Sequence, residues 1–126
     1  MIYDRHFTIE EANALLDGLR PLMHELREAS ELLTDAEVHS LLADAAPANG
    51  GGEPGRQVGK AFLDVRRLLL AVQESGIVVR DVDRGLIDFP AIRDGEEIYL
   101  CWELGEDDVS WWHELDAGYG GRQPLI

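Results

Sequence analysis

Leu86-Ile87-Asp88-Phe89-Pro90-Ala91-Ile92-Arg93-Asp94-Gly95-Glu96-Glu97-Ile98-Tyr99-Leu100-Cys101-Trp102 is the stretch that decides the fold. At its centre Asp94-Gly95 is the strongest hairpin signal in the chain, a two-residue turn that needs positive φ. Pairing outward from it sets Ile92 opposite Glu97, Phe89 opposite Leu100, Asp88 opposite Cys101 and Ile87 opposite Trp102. Gly105-Glu106-Asp107-Asp108 makes a second turn. It sets Leu104 opposite Val109, Trp102 opposite Trp111 and Leu100 opposite His113. Period-two alternation then sorts the side chains. Ile87, Phe89, Leu100, Trp102, Leu104, Val109, Trp111 and His113 fall on a core face. Asp88, Tyr99, Cys101, Glu103, Ser110, Trp112 and Glu114 fall on a mixed face, which is either covered by a tail or partner or is a site. Ile77-Val78-Val79 offers one further short strand.

Helices precede this meander. Thr8-Ile9-Glu10-Glu11 is a capping box, and Phe7 before it can staple the entry. Ala12, Leu15, Leu19, Leu22, Leu26, Ala29 and Leu33 then step by three and four, with Leu16 and Met23 beside them. Pro21 lacks an amide and meets the carbonyl of Asp17, so a kink or break is expected there. Thr34-Asp35-Ala36-Glu37 is a second capping box. Residues 34–46 either continue the first helix or form a separate one. Pro47 to Gly55 is a flexible loop with no Gly-Lys-Ser/Thr after it, so it is not a phosphate cradle. Val58, Ala61, Val65, Leu68 and Val72 repeat the three-four spacing, and Gly76 suits a helix C-cap. The fold class is α+β: a long antiparallel helical hairpin, about 8–75, packed on one face of a three-stranded antiparallel β-meander. The meander and C-terminal tail take about 77–126, and one domain is expected over 1–126.

Charge limits the partners. The chain carries a net charge of −14, with 11 Lys and Arg against 25 Asp and Glu. That excludes the counterion-release binding of nucleic acid and disfavours anionic membranes. A basic protein partner is the complement. The lone cysteine forms no internal disulfide, the opening Met1 to His6 is no export signal, and no long apolar run is present. The expected location is cytoplasmic.

Phe7-Thr8-Ile9-Glu10-Glu11-Ala12-Asn13 resembles the opening of a small bacterial family catalogued as domain of unknown function 2203. Gly85-Leu86-Ile87-Asp88-Phe89-Pro90, Tyr99-Leu100-Cys101-Trp102 and Trp112-His113-Glu114-Leu115-Asp116-Ala117-Gly118-Tyr119 resemble it too, as does Gly121-Arg122-Gln123-Pro124-Leu125. The resemblance covers essentially the whole chain and implies no particular activity.

The candidate chemistry sits late in the chain. His113, Glu114 and Asp116 are donors suited to a divalent transition metal such as zinc, manganese or iron. On a strand, however, His113 and Glu114 point to opposite faces. Cys101 faces Asp88, and a neighbouring carboxylate raises a thiol pKa, so a packed cysteine is expected rather than a nucleophile. Arg122 is the only cation after Arg93. It is expected to fold back as a clamp on Asp88, with Glu103 or Glu114 as its next choices, covering Cys101 and Trp112. Two functions follow. One is a small acidic protein that acts through protein contacts, a homodimer, since the apolar run Leu68 to Val72 exceeds one helical stripe; it needs no cofactor. The alternative is a metal-binding protein or metal-dependent hydrolase centred on His113 and nearby carboxylates.

Overall fold

A computed structural model describes residues 1–43 and 56–126. The expected flexible loop at 47–55 lies outside the described residues, as does the side chain of Val58. Three helices come first: α1 (Ile9–Ser30), α2 (Asp35–Ala43) and α3 (Arg56–Glu74). Five strands follow: β1 (Val78–Asp81), β2 (Leu86–Arg93), β3 (Glu96–Glu103), β4 (Trp111–Glu114) and β5 (Gln123–Pro124). They form one antiparallel sheet in chain order. The sheet is therefore a five-stranded meander and not a three-stranded one. The two extra strands are short edge strands, one at each side: β1 overlaps the short strand expected at Ile77-Val78-Val79, whereas the two residues of β5 give no periodicity to detect.

Local chemistry explains the helical boundaries. At the start of α1 the Thr8 hydroxyl accepts from the Glu11 amide, and the Glu11 carboxylate accepts from the Thr8 amide. The second box, at Thr34 and Glu37, closes in the same way. It opens α2 as a separate helix, which settles the fate of residues 34–43. Pro21 lies inside α1 without ending it. Helices α1 and α3 pack on each other. The residues Leu16, Met23 and Leu26 of α1 and Val65, Leu68 and Val72 of α3 share one core with Ile87, Phe89, Leu100 and Trp102 of the sheet. Leu69 is buried there as well. The apolar surplus expected to drive self-association is thus taken up largely within the chain.

The first hairpin follows the sequence reading in every pair. Asp94 and Gly95 take φ of 53° and 81°, and Ile92, Phe89, Asp88 and Ile87 face Glu97, Leu100, Cys101 and Trp102. Pro90 sits inside β2, where a missing amide is normally harmful. Here β1 begins its pairing at Val78 opposite Asp88 and runs away from Pro90. Beside Pro90 there is a chain segment instead: its carbonyl accepts from the Phe7 amide at 2.7 Å. Gly85 closes the β1–β2 turn at φ 62°, and a Cβ there would lie 2.5 Å from Cβ of Leu104. No larger residue fits.

The second hairpin departs from expectation by one residue. Cys101 faces Trp111, Leu100 faces Trp112 and Tyr99 faces His113. Trp111 and His113 therefore lie on the mixed face, and Trp112 packs against the core. The expected burial of Trp111 against Trp102 is corrected. The cause is the connection. Glu106 turns back onto Glu103, with its amide donating to the Glu103 carbonyl and its carboxylate accepting from the Glu103 amide. Val109 donates its amide to Oδ1 of Asn13 in α1 at 2.8 Å, so it does not continue the ladder. A loop stitched to a helix changes the residue count between strands, and one residue inverts every face.

Candidate metal centre

Three neighbouring strands each bring one chemically distinct side chain to the face of the sheet turned away from the helices. Asp88 comes from β2, Cys101 from β3 and His113 from β4. Asp88 and Cys101 are directly opposite, and His113 lies two residues along from the partner of Cys101. Exposure is 1% for Asp88, 1% for Cys101 and 3% for His113. One ligand atom from each lies within 4.8 Å of the other two.

The hydrogen bonds fix the orientation of each group. Nδ1 of His113 is 2.8 Å from the carbonyl of Glu114. A carbonyl only accepts, so Nδ1 carries the proton and donates it. Nε2 then points at Oδ1 of Asp88 at 3.0 Å. Oδ2 of Asp88 accepts from Nε of Arg80 at 2.8 Å. Arg80 stands two residues along β1 from Val78, the partner of Asp88. Its guanidinium lies 4.8 Å from the ring of Tyr99, and the Tyr99 ring leans on His113 at 5.3 Å. Burial drives the Cys101 thiol up to about 12, and Asp88 adds to the effect. Cys101 is buried, and both effects favour its thiol form.

Both ends of the mixed face are covered by chain. At one end residues 1–6 form a strap. The amides of Ile2 and Tyr3 donate to the Glu97 carboxylate at 2.6 and 2.9 Å, and Nε2 of His6 lies 2.9 Å from it. The Tyr3 hydroxyl bonds that of Tyr99, and burial with that bond pushes the Tyr3 phenol up to about 12. Burial alone would raise the Glu97 pKa, but the donors from Tyr3, His6 and Ile2 outweigh it and hold it at about 2. The sign follows from linkage. A carboxylate depressed from 4.5 to about 2 in the strapped state contributes fully above its ordinary pKa and loses that contribution as pH falls through the lower one. Glu97→Gln should therefore lower the melting temperature at about pH 6, and the gap from the parent should close by about pH 2. A gap that stays constant across that range would show that the Glu97 charge does not hold the strap.

At the other end the tail folds back, though not as expected. Arg122 does not reach Asp88, Glu103 or Glu114. Its Nη2 takes both oxygens of Glu106, at 2.9 and 2.7 Å, and its guanidinium stacks near Trp111 and Tyr119. Asp88 is already held by Arg80, and Glu103 by Arg84 at 2.7 Å. The competing arginines come from β1 and the turn after it, and were not among the candidates read from the sequence. Alternation continued from Val78 would have placed Arg80 beside Asp88, had the length of β1 been known.

A pocket of about 340 Å³ opens onto the three ligand atoms, walled by Arg80, Leu86, Leu115, Ala117 and Tyr119. Of the sequence-derived metal donors, His113 is in the cluster. Glu114 is exposed and on the other side of β4, and Asp116 is exposed at the pocket rim. Of the mixed-face group, Asp88 and Cys101 meet at the pocket floor. Glu103 lies in a separate pair with Arg84 and accepts from the Tyr119 hydroxyl at 3.1 Å. Trp112 faces the core.

The architecture is that of an α+β domain with a buried Asp-Cys-His cluster. The family model described as "Uncharacterized conserved protein (DUF2203)" matches residues 5–125, and the chain belongs to that family. No curated protein and no solved structure matches it significantly. No helix among the described residues is long and apolar enough to cross a membrane.

Proposed function

We propose that this chain is a metal-binding protein, with Asp88, Cys101 and His113 as three ligands to a zinc-like transition ion. The observation that carries the reading is the convergence of one oxygen, one sulfur and one nitrogen within 4.8 Å at the floor of a pocket. This donor set suits a borderline-soft ion. His113 is oriented as metal-bound histidines are, with its far nitrogen donating to a backbone carbonyl. That leaves a lone pair on Nε2 aimed at a carboxylate, which only a proton or a cation between them makes favourable. Charge supports the exchange. With a proton between Nε2 and Asp88, the Arg80, Asp88, His113 and Cys101 group carries one net positive charge. A divalent ion that displaces this proton and the thiol proton leaves the same total. Three protein ligands also leave a fourth position open toward the pocket, the arrangement of zinc sites that handle a water or substrate.

Cobalt(II) is the probe, because its thiolate bond gives a near-ultraviolet band. Titration of protein purified without a histidine tag should produce that band with one ion per chain. His113→Ala should weaken binding by at least about a hundredfold, since even an outer partner of a ligand is worth about 10–100-fold. Cys101→Ser should remove the band. No band in the parent, or full affinity in the alanine variant, would end this reading. Action through protein contacts as a homodimer is the second reading from the sequence. Its main support, the apolar surplus of α3, is reduced by the burial of Leu68 and Leu69.

A further inference from the structure

We infer that Arg80 makes this centre a receptor for a small oxyanion, a carboxylate or a phosphate, bound between the open metal position and the guanidinium edge. The inference rests on the metal reading above and adds the class of ligand. Three observations lead to it. Arg80 meets Asp88 through Nε alone and lies beside Tyr99, so its guanidinium is not a bidentate partner of the Asp88 carboxylate. Its side chain is 41% exposed and forms part of the pocket wall, so the guanidinium borders the space above the cluster. The charges then fix the sign of the ligand. A divalent ion with the Asp88 carboxylate, the Cys101 thiolate and a neutral His113 sums to zero, and Arg80 leaves one positive charge at the pocket.

In a chain of net charge −14 this locally cationic pocket is an exception. Its neighbours Leu86, Leu115 and Ala117 are apolar, so the charge is compensated poorly by the walls. Asp116 lies at the rim, but it is exposed and solvated. A planar guanidinium edge beside a Lewis-acidic ion is matched by two oxygens on one carbon or phosphorus.

The test uses the cobalt(II)-loaded protein. Acetate and inorganic phosphate are titrated separately, with chloride at equal ionic strength as the control. The visible cobalt bands of the parent should shift with one or both oxyanions and not with chloride; the more effective one identifies the source. In Arg80→Met the thiolate band should remain, while the oxyanion affinity falls by at least about tenfold, the worth of a charge-assisted bond. Circular dichroism checks that this variant is folded. If it is not, Arg80→Lys takes its place and should still weaken oxyanion binding, because the fork is lost. An unchanged oxyanion response in the folded variant, or none in the parent, overturns the inference and leaves the metal reading standing. Absence of the thiolate band in the parent overturns both.

Discussion

Asp88→Ala should destabilise the protein by about 2–4 kcal/mol, whereas Asp88→Asn should cost a fraction of that. Asp88 is 1% exposed and is bonded on both sides, with Oδ1 against Nε2 of His113 and Oδ2 accepting from Nε of Arg80. Alanine leaves Nε2 of His113 buried without a partner, which is the expensive part. The loss of Arg80's partner costs less, because that side chain is 41% exposed and can solvate. Asparagine keeps the shape and both bonds. Its carbonyl accepts from Arg80, and its amide donates to the lone pair of Nε2 left by a proton on Nδ1. Urea denaturation in the presence of a chelator measures both variants without metal. Equal losses would mean that the shared proton sits on Nε2, so that the contact is held by charge and an asparagine amide cannot replace it. Both variants should bind cobalt(II) more weakly, since both lack the carboxylate ligand. The alanine and asparagine variants together therefore separate what Asp88 does for the fold from what it does for a metal.

How far this site was legible in the sequence depends on the range of each signal. The pairing of Asp88 with Cys101 was readable, because a tight Asp94-Gly95 turn transmits register without loss along both strands. Both capping boxes were readable for the same reason: donor and acceptor lie three residues apart. His113 was placed on the wrong face. Its position depends on the loop between β3 and β4, whose path is set by a bond from Val109 to Asn13, nearly the whole chain away. No local pattern carries that information. Arg80 escaped notice as a partner because β1 has only four residues and its pairing with β2 contains an irregular step between Val79 and Asp81. The strap was equally hidden. Met1 to His6 has no periodicity, and its attachment is made by Glu97 and Tyr99, which become neighbours only in the folded sheet. The site, Arg80 included, is therefore a product of three registers, of which only one could be read.

Trp102→Ala should cost about 3–5 kcal/mol, the usual range for removal of a large core aromatic, and should exceed the cost at either neighbouring tryptophan. Trp102 is fully buried in the core shared by α1, α3 and the sheet. Its indole also donates to the carbonyl of Glu106 at 3.1 Å. The same side chain thus fills the core and ties down the turn that sets the β3–β4 register. Trp111 and Trp112 are each partly exposed and lie beneath an arginine, Arg122 at 4.8 Å and Arg93 at 4.7 Å. Such half-covered stacking contributes less, and each alanine variant there should cost about 1–2 kcal/mol. The order of the three losses tests the register directly. If β3 and β4 were paired as the tight four-residue turn implies, Trp111 would be the buried partner of Trp102 and Trp112 would be the solvent-facing one. Denaturation midpoints of the three variants, with acrylamide quenching of the remaining indoles, distinguish the two arrangements. A loss at Trp111 as large as that at Trp102 would restore the tight-turn register. It would also move His113 back to the core face and separate it from Asp88 and Cys101, so the proposal of a metal site would fail with it.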